Sequence, residues 1–199
     1  VNGNALTADW ESVIDNEHVT YILGNPPFVG KHLLTMSQQN DMALVMHDIP
    51  SGGLLDLVSA WYIKAAQYIK GTKIKVAFVS TNSIVQGEQV GILWNTLYNN
   101  YKIKIHFAHR TFQWTNEAKG NAAVKVIIVG FGNYDIQNKK IYEYDSATGE
   151  TLERLVKNIN PYLLEGDDLP ILPRSKPICN VHPIINGSKP VDGGNLIFT

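Results

Sequence analysis

Asn25-Pro26-Pro27-Phe28 is the stretch whose residue types and order suit chemistry. A carboxamide offers an acceptor oxygen and a donor NH2. The carbonyl of Pro26 adds a second acceptor, held rigidly by the next proline. Together they can grip an exocyclic amino group by both of its hydrogens and draw the nitrogen toward a tetrahedral, nucleophilic shape. Phe28 supplies a flat face for the ring that carries the amine. Such a site suits a planar amine or amide nitrogen attacking an electrophilic methyl. The loop is stiff, because each proline fixes φ at about −65° and has no N–H. The residue before each proline is pushed to extended geometry.

Other constellations are weaker. The six histidines (18, 32, 47, 106, 109 and 182) lack metal-ligand spacing, so no metal site is expected. His106-Phe107-Ala108-His109-Arg110 is a mild basic cluster at a strand end. Ser80 and Ser83 lack a nucleophile elbow, and no phosphate-binding loop is present. The charge is uneven. Residues 1–50 carry one lysine against six acids, and residues 51–149 carry eleven basic against six acidic side chains. A basic middle segment can face a polyanion, although it also suits an ordinary solvated surface.

The elements that must position the loop follow an α/β pattern. The apolar run at 18–23 feeds the loop, and its uniformity predicts a central strand covered on both faces. Open α/β sheets place their chemistry in loops at the carboxyl ends of such strands. Before it, residues 9–14 read as a short helix or turn with Trp10 and Val13 or Ile14 inward. Residues 37–47 have helix-forming composition. Ser51-Gly52-Gly53 is a break. Leu54, Val58, Trp61, Tyr62, Ala65 and Ile69 recur at spacings of three and four, which predicts a helix over 54–69. Lys70-Gly71 stops it. A buried strand over 75–80, a helix over 88–97, and an alternating strand over 102–108 follow. A loop over 109–121 and a long strand over 122–131 complete the set. The last two strands have no helix between them and can pair as an antiparallel hairpin. Residues 139–144 read as a strand and 151–156 as a helical turn. From 160 onward prolines and glycines dominate. A boundary is expected near 145–158, giving a catalytic part over 1–145 and the start of a second, loop-rich domain over 146–199.

Length and composition suit a globular chain of 199 residues with 44% hydrophobic and 18% charged residues. No apolar run reaches about 18 residues, so no membrane span is expected. Cys179 is alone, which rules out a disulfide framework within the chain and suits a reducing, cytoplasmic setting. Val1-Asn2-Gly3-Asn4 has no signal-peptide character and no initiator Met, which suggests a piece of a longer protein.

Gly24-Asn25-Pro26-Pro27-Phe28 resembles the catalytic motif of S-adenosylmethionine-dependent amino-methyltransferases, above all the DNA adenine-N6 class. Asp56-Leu57-Val58-Ser59-Ala60-Trp61 and Val76-Ala77-Phe78-Val79-Ser80-Thr81-Asn82-Ser83 resemble the helix and strand that follow in that class. Phe112-Gln113-Trp114-Thr115-Asn116-Glu117-Ala118, then Asn121-Ala122-Ala123-Val124, resembles the later motif that packs against the target base. Gly30-Lys31, Asn160-Pro161-Tyr162-Leu163 and Lys189-Pro190-Val191-Asp192-Gly193-Gly194-Asn195-Leu196 are similar to the MmeI-like methyltransferases of single-chain type IIL restriction–modification enzymes. The resemblance covers nearly the whole chain. It implies the C-terminal part of a Rossmann-like class I methyltransferase sheet, ending in an antiparallel hairpin, then the start of a loop-rich target-recognition domain.

The resemblance implies that Asn25 and Pro26 bind the N6 amine of an adenine flipped out of double-stranded DNA, with Pro27 stiffening the loop and Phe28 stacking on the base. Phe112 or Trp114 would cover its other side, and the sequence leaves open which. Asn4, Asn25, Asp56 and Trp61 would lie near the cofactor, although positions 2–6 lack the acidic residue many relatives use there. A fused nuclease domain outside this chain is a possible companion. Two other classes stay open: a methyltransferase acting on protein glutamine or another base, and a non-catalytic DNA-binding module. Near-neutral charge argues against strong nonspecific DNA binding. The family's glycine-rich first cofactor motif precedes its catalytic loop, and nothing before residue 20 matches it. The isolated chain is therefore expected to bind S-adenosylmethionine too weakly for calorimetry; a clear binding isotherm would contradict this.

Overall fold

The computed structural model describes residues 2–114, 124–145, 148–174 and 176–181. A six-stranded mixed sheet runs through them in the order β1-β2-β4-β3-β5-β6. Its strands are β1 (Tyr21–Gly24), β2 (Lys75–Thr81), β3 (Lys104–Trp114), β4 (Val124–Gly132), β5 (Lys139–Tyr144) and β6 (Thr151–Val156). The helices are α1 (Trp10–Val13), α2 (Met36–Val45), α3 (Val58–Tyr68) and α4 (Gly87–Asn99). β1 and β2 are parallel, as are β3 and β5. β4 runs antiparallel to both β2 and β3, so the expected hairpin is present.

Local sequence accounts for most of these elements. Thr35 and Gln38 form a reciprocal capping box that starts α2. Gly71, at φ +77°, turns the chain after α3, a conformation a side chain would oppose. α3 and α4 cover one sheet face. Tyr62 from α3 stacks on Phe131 of β4 at 5.3 Å and meets Phe78 of β2 edge-on at 5.3 Å. Trp94 of α4 closes the cluster, and its indole N–H donates to the Ile84 carbonyl. Burial pushes the Tyr62 hydroxyl far above its ordinary range, so it stays protonated and shares a 2.8 Å hydrogen bond with Ser80.

Several expectations change. β1 is an edge strand among the described residues, not a central one, and Tyr21 and Leu23 are 61% and 76% exposed. An apolar run reports what a strand is able to bury, not which of its faces is covered. Val13 and Ile14 are exposed, whereas Trp10 packs edge-on against Tyr68. α3 begins at Val58 and not at residue 54, because a 3-10 turn over Gly52–Leu54 precedes it. β3 continues through Trp114 where a loop over 109–121 was expected. Residues 151–156 form β6, paired with β5, and not a helical turn. The sheet thus runs on past residue 145. Ile159 and Leu163 join its core.

Lys139 is 99% buried and ties this last region down. Its ammonium donates to Asn158 at 2.6 Å and pairs with Asp135 at 2.8 Å. Asn158 in turn donates to Asp168 at 2.7 Å, and Asp168 pairs with Lys104 of β3. Residues 171–173 cross α4 at Gly91, where a Cβ would come within 2.7 Å of the Ile171 carbonyl oxygen.

Gly130 of β4 is covered by the Phe107 ring, and a Cβ there would sit 2.0 Å from the ring. Gly130→Ala is expected to cost about 1–3 kcal/mol through overpacking. Thermal melting should show a smaller loss in a Phe107→Ala background, and an equal loss would acquit the ring.

Candidate active site

The carboxyl ends of β1, β2, β3 and β5 share one edge of the sheet, because these strands are mutually parallel through the antiparallel β4. The Asn25–Phe28 loop leaves β1 at this edge. Gly24 lies against the Phe78 ring, 3.1 Å from where its Cβ would be. Pro26 is buried, Phe28 is half-buried and Asn25 is exposed. Among the described residues no group hydrogen-bonds to the Asn25 carboxamide. A carboxamide carries an acceptor oxygen and a donor NH2, and neither is paired among the described residues.

The loop is held from its far side. The Leu57 N–H donates to the Val29 carbonyl at 3.0 Å. The Lys31 N–H donates to Asp56 Oδ1 at 2.9 Å, and the Asp56 N–H donates to Gln89 Oε1 at 3.1 Å. Lys31 Nζ pairs with Glu88 at 3.2 Å. Asp56 thus caps the 3-10 turn Lys31–Leu33 that follows the loop, and does not cap its own helix. Sequence alone pointed to Asp56 but not to Gln89 or Glu88. The one available signal was their place in the first turn of α4.

Phe112 sits at the same edge, three strand spacings from β1, about 14 Å. A register shift between His109 and Phe112 places three steps of β3 against two of β4. The irregularity returns Phe112 to the sheet face that His109 occupies, as bulges do when they re-aim a side chain. His109 stacks on Tyr142 at 4.3 Å and bonds the Tyr144 hydroxyl at 2.6 Å. Phe112 packs on Tyr144 at 4.8 Å. Arg110 pairs with Glu143 on the opposite face, so two members of the basic cluster serve β5. Trp114 ends β3, and its side chain, like residues 115–123 and 182–199, lies outside the described residues.

The cofactor candidates differ in their surroundings. Asn4 is exposed, and its amide donates to Asp41 at 2.7 Å while its oxygen accepts from the Leu6 N–H. Trp61 is half-buried against the core. An open hollow of about 610 Å³ lies elsewhere, lined by Trp10, Val19, Tyr21, Leu23 and Tyr68 among others. Its walls are mostly apolar and it excludes the loop. Among the described residues no cluster of His, Cys, Asp and Glu is placed to hold a metal. No helix among them is long and apolar enough to cross a membrane.

Residues 1–143 match the DNA-methyltransferase domain of MmeI. The chain belongs to this family. It is 41% identical over 198 residues to DNA methyltransferase A of Bacillus subtilis (strain 168), covering 98% of this chain and 22% of that protein. It superimposes on the type IIL restriction–modification enzyme MmeI, solved in complex with DNA, with a TM-score of 0.93 and 52% identity. That match covers 100% of this chain and 27% of MmeI. A modification subunit of a putative type I restriction enzyme from Vibrio vulnificus YJ016 shares the fold, with a TM-score of 0.51 and 15% identity over 74% of this chain and 30% of that one. The chain spans about a quarter of the length of MmeI and of the Bacillus relative. The fold is that of a Rossmann-like methyltransferase sheet, as the sequence motifs implied.

Burial holds the His109 and His106 imidazoles below their ordinary range. Unfolded histidines titrate near about 6.5, so the unfolded chain takes up protons first as pH falls. Their stabilising contribution is complete above that pH and is lost below it. Melting temperature is expected to fall as pH drops below about 6.5, and His109→Phe should flatten the decline. An unchanged slope in the variant would remove His109 from the account.

Proposed function

We propose that this chain is the catalytic part of an enzyme that transfers the methyl group of S-adenosylmethionine to the N6 amine of adenine. The substrate is a specific double-stranded DNA sequence, and the setting is a larger restriction–modification enzyme of the bacterial cytoplasm. A fused nuclease domain belongs to the same proposal. The observation that supports it is the Asn25 carboxamide, exposed and without a hydrogen-bond partner among the described residues, at the carboxyl edge of the sheet beside Phe28. Membership of the MmeI methyltransferase family supports the reaction class.

Asn25 Oδ1 and the Pro26 carbonyl accept the two hydrogens of the adenine amine. Their pull localises the nitrogen lone pair, which is otherwise delocalised into the ring. Phe28 stacks on the flipped base, and Phe112 or Trp114 covers its other side. S-adenosylmethionine, when bound, supplies an electrophilic methyl. Methyl transfer to the amine would leave the nitrogen positively charged, and it would return to neutrality by losing one proton to solvent. No metal is invoked, and the chain contributes position and polarisation.

The cofactor fit is partial. Asn4 and Asp41, 2.7 Å apart, offer donors and acceptors suited to its nucleoside end. Among the described residues no glycine-rich turn cradles the methionine end. Asn25 and Trp61 complete the cofactor candidates of this reading, and Asp56 accepts from the Lys31 N–H just after the loop.

Full-length protein given tritium-labelled S-adenosylmethionine, duplex DNA and a glutamine peptide should place the label on N6 of adenine. Asn25→Ala should lower turnover by about 100- to 1,000-fold, the scale of losing one oriented polar group. Label in the peptide, or full activity of the variant, would overturn the reading.

A further inference from the structure

We propose that Asp56 and Gln89 are positioning residues that set the Asn25–Phe28 loop in register with the rest of the sheet edge; the inference rests on that loop being the amine-binding site. Two prolines leave the loop without N–H groups at 26 and 27, so it cannot be fixed by its own backbone there. The fixing bonds come just after it. Asp56 Oδ1 accepts from the Lys31 N–H at 2.9 Å, and the Asp56 N–H donates to Gln89 Oε1 at 3.1 Å. The Leu57 N–H reaches Val29 at 3.0 Å. The loop is thereby clamped to the entrance of α3, and that entrance to the first turn of α4. α4 is anchored in the core by the fully buried Trp94. The Lys31–Glu88 pair is half-open to solvent and adds little to the clamp. Asp56 therefore acts through an acceptor oxygen and not through its charge.

That distinction is testable in the full-length protein. Asp56→Asn keeps an acceptor oxygen and loses the charge, whereas Asp56→Ala loses both. Positioning predicts that Asp56→Asn retains turnover within about threefold. Asp56→Ala should lose about 100-fold in kcat, the cost of a misplacement near 1 Å, with the Kd for S-adenosylmethionine nearly unchanged. Gln89→Ala should show the same pattern in weaker form. A duplex with 2-aminopurine at the target adenine reports whether the base still seats; its fluorescence change on binding should differ in Asp56→Ala and match the parent in Asp56→Asn. If Asp56→Asn loses as much as Asp56→Ala, or if cofactor affinity falls in step with kcat, the clamp is wrong and Asp56 is a charged cofactor ligand. Should Asp56→Ala fail to fold, parent-like kcat in Gln89→Ala overturns the proposal by itself. Failure of the underlying site is separate, since it would show as unimpaired methylation by Asn25→Ala.

Discussion

A loop with two consecutive prolines cannot hold itself. Pro26 and Pro27 supply stiffness, but they remove the backbone donors that normally tie a loop to a sheet. The position of Asn25 depends on bonds made before and after the prolines. Before them, β1 pairs with β2 and seats Gly24 on the Phe78 ring. After them, Val29 and Lys31 are bonded to residues 57 and 56. Everything that fixes Phe78 and the entrance of α3 therefore fixes the loop. The Tyr62, Phe78, Phe131 and Trp94 cluster is what does so.

The same sheet brings distant pieces of the chain to that edge. Running β4 antiparallel between β2 and β3 lets β3 keep the direction of β1, so Phe112 and Asn25 lie along the same carboxyl edge of the sheet. The register shift before Phe112 then selects its face. His109, Tyr142 and Tyr144 back it with stacked rings, and burial lowers the affinity of the imidazole for a proton. Further along, the buried Lys139 finds its polar partners in Asp135 and Asn158. Through Asn158 and Asp168 that ion also fastens residues 157–168 onto the sheet.

Much of this was legible in residue order. The three-and-four spacing of Val58, Tyr62, Ala65 and Ile69 marked α3, and the apolar runs marked β2 and β4, because the periodicity of burial is a local property. β6 was misread for an equally physical reason. Leu152 and Leu155 stand three apart with charges between them, a spacing that suits a helix, and pairing with β5 overrode it. β1 borders the sheet among the described residues, and uniform apolarity does not say which strand lies at an edge.

By itself the sequence determined the stiff Asn25–Phe28 loop, the helices that pack beneath it, the antiparallel hairpin and, through its motifs, the family. The tertiary structure alone decided how the loop is held, which face Phe112 takes, and that β6 extends the sheet. The clamp joins residues 25 and 33 positions apart, and the face of Phe112 depends on a mismatch between two strands. Neither leaves a local pattern, because a hydrogen bond between distant residues and a shift in register exist only once the strands have met.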